Sequence, residues 1–122
     1  MATRILIVDD SSAIREAVRS CLERTPQLEI CGEAENGRSA IDVARRTRPD
    51  VVVLDVSMPV MNGLDAAREL AALRPRPAIV LFTGHECDEL STDVEDLGIR
   101  TVISKSDHHA LEQLRQSVQE AA

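Results

Sequence analysis

Hydrophobic positions along this chain gather into five short runs separated by amphipathic stretches. Ile5-Leu6-Ile7-Val8, Val51-Val52-Val53-Leu54 and Ala78-Ile79-Val80-Leu81-Phe82 are apolar without interruption. Such runs mark strands covered on both faces, as in the middle of a parallel sheet. From Leu28 to Ala34 the apolar residues are interrupted by Glu29 and Glu33, and Thr101-Val102-Ile103-Ser104 is short. Both fit the edges of a sheet.

The intervening stretches carry a helical period. Ile14, Ala17, Val18, Cys21 and Leu22 lie at i, i+3, i+4, i+7 and i+8, one face of a helix, with Ser11 or Ser12 as its N-cap and Thr25-Pro26 as its stop. Asn36-Gly37 opens a second helix that turns Ala40, Ile41 and Ala44 inwards, and Pro49 ends its exit loop. Asn62 caps a third, with Asp65 in the first turn where the helix dipole favours an anion. Leu90, Val94 and Leu97 give the inner face of a fourth. That helix contains the poor helix formers Ser91 and Thr92 and six acids, Glu86, Asp88, Glu89, Asp93, Glu95 and Asp96, with no base. Ser106 or Asp107 caps a last helix with Leu111, Leu114 and Val118 inside. Five strands alternating with five helices imply a parallel sheet with right-handed crossovers. Putting the three uninterrupted runs in the middle selects the order 2-1-3-4-5. The expected fold is therefore α/β, a flavodoxin-like doubly wound (βα)5 three-layer sandwich.

Composition narrows the function. The 122 residues suit one domain, read as spanning 1–122 with no output domain among them. A formal net charge of −7 argues against direct grip on nucleic acid or an anionic membrane. No apolar run approaches the ~20 residues of a bilayer span, and no signal-peptide pattern precedes Arg4, so a cytoplasmic location is expected. Cys21, Cys31 and Cys87 have no metal-ligand spacing and read as idle thiols. Phe82 is the sole aromatic, so the core must be aliphatic.

In open α/β sheets ligands sit beyond the carboxyl ends of the strands. Asp9 and Asp10 end the first run, Asp55 the third, Thr83 the fourth and Lys105 the fifth. In the expected order the first and third strands are neighbours, so three carboxylates converge and repel one another. A hard cation relieves that repulsion, and Mg²⁺ suits a site of few carboxylates, several waters and a phosphate. Lys105 and Thr83 supply a point charge and a hydroxyl donor for a phosphoryl group on Asp55.

Taken together, Ile7-Val8-Asp9-Asp10, Asp55-Val56-Ser57-Met58-Pro59 with Asn62-Gly63, Thr83-Gly84 and Lys105 resemble the response-regulator receiver domains of two-component signalling. The resemblance covers essentially the whole chain. It implies that Asp55 accepts a phosphoryl group from the phosphohistidine of a sensor histidine kinase or phosphotransfer protein. It implies that Asp10, Asp55 and the Ser57 carbonyl ligate Mg²⁺, with Asp9 acting largely through water, and that Thr83 and Lys105 contact the phosphoryl oxygens. Such a chain is a signalling switch rather than an enzyme, with self-phosphorylation and autodephosphorylation as its only chemistry. Glu35-Asn36-Gly37-Arg38 and the Asp55-Val56-Ser57-Met58-Pro59 run resemble the NarL-type branch, whose members often carry a helix-turn-helix output domain. Ser57 and His85 are expected to flank the path of the attacking water.

Two positions depart from the family pattern. Val102 stands where an aromatic is usual, and Ser106 stands where proline usually follows the lysine. A stiff, β-branched valine cannot swing as an aromatic does, so the signal is expected to pass through the fourth helix to a partner or a second protomer. The Lys105–Ser106 peptide is expected to be trans, because a cis bond before a non-proline residue costs about 2.5–4 kcal/mol. Two other classes fit less well. A haloacid-dehalogenase-like phosphatase wants a second Asp where Ser57 stands, and a flavin site would have its phosphate repelled by Asp9-Asp10.

Overall fold

The computed structural model describes residues 2–55, 63–84 and 97–121. Among them run β1 (Thr3–Val8), α1 (Ser12–Glu23), β2 (Leu28–Ala34), α2 (Gly37–Thr47), β3 (Val51–Leu54), α3 (Gly63–Ala71), β4 (Ala78–Thr83), β5 (Ile99–Ser104) and α4 (Ala110–Ala121). The helix expected around Leu90 and Val94 falls outside the described residues, as do Ser57 and His85. The strands form one parallel sheet in the order β2-β1-β3-β4-β5, the flavodoxin-like arrangement that the hydrophobic runs imply.

The central strands are buried because they are apolar on both faces, and they divide the core in two. Leu6, Val8, Val52, Leu54, Ile79 and Leu81 meet Ala40, Ile41, Ala44, Ala66, Ala67 and Leu70 of α2 and α3 on one face. Ile5, Ile7, Val51, Val53, Val80 and Phe82 meet Val18, Leu22, Leu114 and Val118 of α1 and α4 on the other. The edge strands are less covered: β2 buries only Leu28 and Ala34, and β5 only Ile99 and Ile103. β2 has the limits its pattern gave, whereas β5 starts two residues before Thr101.

Local chemistry sets the helix ends. Ser11 Oγ accepts the Ile14 amide at 3.3 Å and Asn36 Oδ1 accepts the Ser39 amide at 2.8 Å, both serving as N-caps. Between Ile5 and Leu6 the β1–β2 register slips by one residue, so that Leu6 pairs with Gly32. A Cβ at Gly32 would stand 2.7 Å from Val43 Cγ1, so only glycine lets α2 lie this close to β2. The last helix starts later than expected. Asp107 Oδ1 accepts the His109 amide at 2.8 Å in a turn, and α4 begins at Ala110. Among the described residues the cis peptide is Arg74–Pro75, so Lys105–Ser106 is trans.

Candidate functional site

β1 and β3 run in phase, with Val8 opposite Leu54, and the Asp55 amide donates to the Val8 carbonyl at 3.0 Å. That bond carries the register one step past the strands and brings the first residues beyond them, Asp9 and Asp55, side by side. Asp9 is 3% exposed, Asp55 5% and Thr83, at the end of β4, 1%; Asp10 is exposed. Carboxylate oxygens of Asp9, Asp10 and Asp55 all lie within 4.8 Å of one another. The sequence placed these three residues together, and the structure does the same.

Lys105 reaches this cluster from beyond β5. Its amide donates to the Thr83 carbonyl at 2.9 Å, which aims the side chain back across β4. Nζ lies 2.6 Å from Asp9 Oδ2 and 3.3 Å from Asp55 Oδ2, and 5.9 Å from the Phe82 ring centroid. The ammonium thus spans both buried carboxylates above an aromatic face, a placement favourable to a cation.

Burial pushes the Asp9 carboxyl above its ordinary range, with the nearby Asp55 charge adding a little. The Lys105 hydrogen bond, the Ser11 amide and the Lys105 charge pull it back only in part. Burial alone would pull Lys105 down, but the hydrogen bond it donates to Asp9 and the charges of Asp55 and Asp9 outweigh it, so its pKa is raised. The cluster is an acidic site held together by one cation.

A residue that the hydrophobic pattern did not single out also touches it. Arg15, one turn into α1, donates from Nη1 to the Asp9 carbonyl at 2.6 Å and from Nε to Glu33 Oε1 at 3.1 Å. Its place on the polar side of an amphipathic helix looks in sequence like any solvated arginine. Only the fold brings Glu33 of β2 beside it.

The sequence profile described as the Response regulator receiver domain matches residues 5–119. The chain belongs to that family. As a receiver it is a phosphoryl-accepting signalling switch. It is 39% identical over 107 residues to the protein-glutamate methylesterase/protein-glutamine glutaminase of Alkalilimnicola ehrlichii, covering 86% of this chain and 27% of that protein. To the enzyme of the same name from Pyrococcus abyssi it is 47% identical over 78 residues, 64% of this chain and 21% of that protein. The chain thus spans about a quarter of the curated relatives it matches. Among solved structures it resembles the response regulator domain of Thermotoga maritima CheB, with a TM-score of 0.88 at 22% identity over 99% of this chain and 96% of that one. It also resembles the receiver domain of AraT from Geobacillus stearothermophilus, with a TM-score of 0.85 at 29% identity over 99% and 93%. The curated relatives are methylesterases, so the NarL-type branch expected from Glu35-Asn36-Gly37-Arg38 is not supported.

Whether the receiver's acidic edge fits Mg²⁺ rests on its donor set. Three carboxylates offer hard oxygens close enough to share one ion; one of them, Asp10, faces solvent and leaves room for the waters that Mg²⁺ retains. Among the described residues no His or Cys joins the cluster. The residues fit a hard divalent cation. Among the described residues no helix is long and apolar enough to cross a membrane.

Proposed function

We propose that Asp55 is the phosphoryl acceptor of this receiver and that the donor is the phosphohistidine of a sensor histidine kinase or a phosphotransfer protein. The observation that carries this reading is the Lys105 ammonium lying between Asp9 and Asp55 inside a three-carboxylate cluster. An Asp55 carboxylate oxygen attacks phosphorus, the P–N bond breaks, and the imidazole nitrogen leaves with the bonding pair and takes a proton. The product is an acyl phosphate on Asp55. Hydrolysis reverses the charge build-up: water attacks phosphorus and the Asp55 carboxylate is released with inorganic phosphate.

In this reading Asp10, Asp55 and the carbonyl of Ser57 would hold Mg²⁺, with Asp9 acting largely through water. When bound, the ion neutralises charge on the phosphoryl oxygens. Lys105 would then exchange a carboxylate contact for a phosphoryl one, and the Thr83 hydroxyl would donate to a second oxygen. Phosphoryl transfer asks mainly for positioning and neutralisation, and these residues supply both. The chain acts in the cytoplasm as one receiver domain over residues 1–122, and it is a switch rather than an enzyme in its own right.

Its output is proposed to be a methylesterase-type effector, because the curated relatives bear that name and the matched part is about a quarter of their length. The helix-turn-helix alternative lacks that support. Incubation with MgCl₂ and acetyl phosphate, followed by intact mass, tests the site. One phosphoryl group should be added to the wild-type chain and none to Asp55→Asn; undiminished labelling of the variant would sink the assignment.

A further inference from the structure

We infer that Arg15 is a positioning residue for the Asp10 carboxylate, acting through the peptide that joins Asp9 to Asp10; the inference rests on the metal site proposed above. The three acids of the cluster are held in different ways. Asp9 is fixed by its own contacts: Oδ2 accepts Lys105 Nζ at 2.6 Å and Oδ1 accepts the Ser11 amide at 2.9 Å. Asp55 is fixed by burial and by its amide on Val8. The exposed Asp10 carboxylate makes no hydrogen bond or ion pair among the described residues. Its place is therefore set by the backbone that carries it.

That backbone has left the sheet. β1 ends at Val8, and the Asp9 amide still reaches the Ala34 carbonyl at 3.1 Å. The Asp9 carbonyl instead accepts Arg15 Nη1 at 2.6 Å, which fixes the plane of the Asp9–Asp10 peptide. The guanidinium is itself held. Glu33 Oε1 accepts Arg15 Nε at 3.1 Å, Glu33 Oε2 accepts Arg19 Nε at 2.8 Å, and the Arg15 side chain is only 18% exposed. An arginine fork holds its two acceptors in a fixed planar geometry, whereas an ammonium is a point charge on a flexible stem. Glu33 thus aims Arg15, Arg15 holds the peptide, and the peptide presents Asp10.

Two effects of removing Arg15 oppose each other. Losing a positive charge near three carboxylates should tighten a cation, whereas losing the support of a ligand should weaken it. The Glu33 pairing largely cancels the Arg15 charge, so the positioning effect dominates. Supports of metal ligands are commonly worth about 10–100-fold in affinity.

The test is the Mg²⁺ dissociation constant of the whole chain, read from amide shifts in NMR titrations with MgCl₂. Arg15→Met should weaken binding about tenfold, and Arg15→Lys, which keeps the charge but loses the fork, should recover only part of that loss. In an Asp10→Asn background Arg15→Met should cost nothing further. Unchanged or tighter binding by Arg15→Met, or additive losses with Asp10→Asn, overturns the inference. If Arg15→Met fails to fold, Glu33→Gln decides in its place, with a smaller loss expected and unchanged affinity counting against. If the wild type does not bind Mg²⁺, or Asp10→Asn binds it as tightly as the wild type, the metal site itself is wrong and the inference falls with it.

Discussion

Lys105 and Asp9, 96 positions apart in the chain, meet at 2.6 Å in a part-buried ion pair. The contact joins the end of an edge strand to the end of a central one, across the ends of both β4 and β3. A buried carboxylate left without its cation is costly. The pair therefore holds the site in its resting form and supplies the cation that a phosphoryl group would need.

Replacing that cation should separate binding from chemistry. Lys105→Met is expected to tighten Mg²⁺ binding several-fold, because a competing positive charge is lost. The same change should slow phosphoryl uptake from acetyl phosphate, because a group that neutralises the transferring oxygens is gone. Mg²⁺ titration and time-resolved intact mass check the two halves; both moving in the same direction would contradict the role given to Lys105.

The same pair gives the metal-free protein a pH signature. The Asp9 carboxyl is raised by burial, so the folded chain holds that proton more tightly than the unfolded chain. Stability therefore falls as pH rises through the window between the two values and is regained on acidification. Asp9→Asn fixes the neutral form, and with chelator present it should raise the melting temperature at neutral pH by a few degrees, with the gain shrinking below that window. Lys105 is raised as well. Its contribution is full below the ordinary lysine value and is lost as pH climbs through the raised one, so wild type should lose stability at strongly alkaline pH where Lys105→Met does not. Thermal melts across pH read both limbs.

Gly32 offers a packing test remote from the chemistry. Gly32→Ala should destabilise the fold by about 1–3 kcal/mol, the usual cost of overpacking, since the new methyl would meet Val43 Cγ1 at 2.7 Å. Val43→Ala in the same chain should return part of that loss, because contacting residues couple. Urea melts of the four combinations give the coupling directly.

Cys21 sits between α1 and α4, its thiol donating to the Leu111 carbonyl at 3.5 Å. Burial pushes its pKa up, against the pull of Arg24 and Arg115 and with a small push from Glu112. Its alkylation should be slower than in the urea-unfolded chain, with a pH profile displaced to higher pH. Iodoacetamide labelling followed by peptide mapping measures both; equal rates folded and unfolded would show that the thiol is open.

Much of this was legible in the residues. Uninterrupted apolar runs at Ile5–Val8 and Val51–Leu54 announced central strands, and the strand order then placed Asp9, Asp10, Asp55 and Lys105 on one edge. Strand limits were less visible. Ile99 and Arg100 join β5 through their pairing beside β4, and no local pattern marks them. The Arg15–Glu33 contact was hidden for a similar reason: the two residues are 18 apart in sequence and meet only because β2 lies beside β1. Branch membership was misread from Glu35 to Arg38, because a turn and a helix cap, as Asn36 provides, serve any receiver equally well.

One consequence follows from the in-phase pairing of Val8 with Leu54 and the Asp55 amide on the Val8 carbonyl. The spacing of the acid pair is inherited from two aliphatic strands. Outward-facing positions of the helices can therefore change, altering who listens to the domain, while Val8 and Leu54 stay in phase and the acid pair stays where it is. In this architecture a new conversation partner requires no new chemistry.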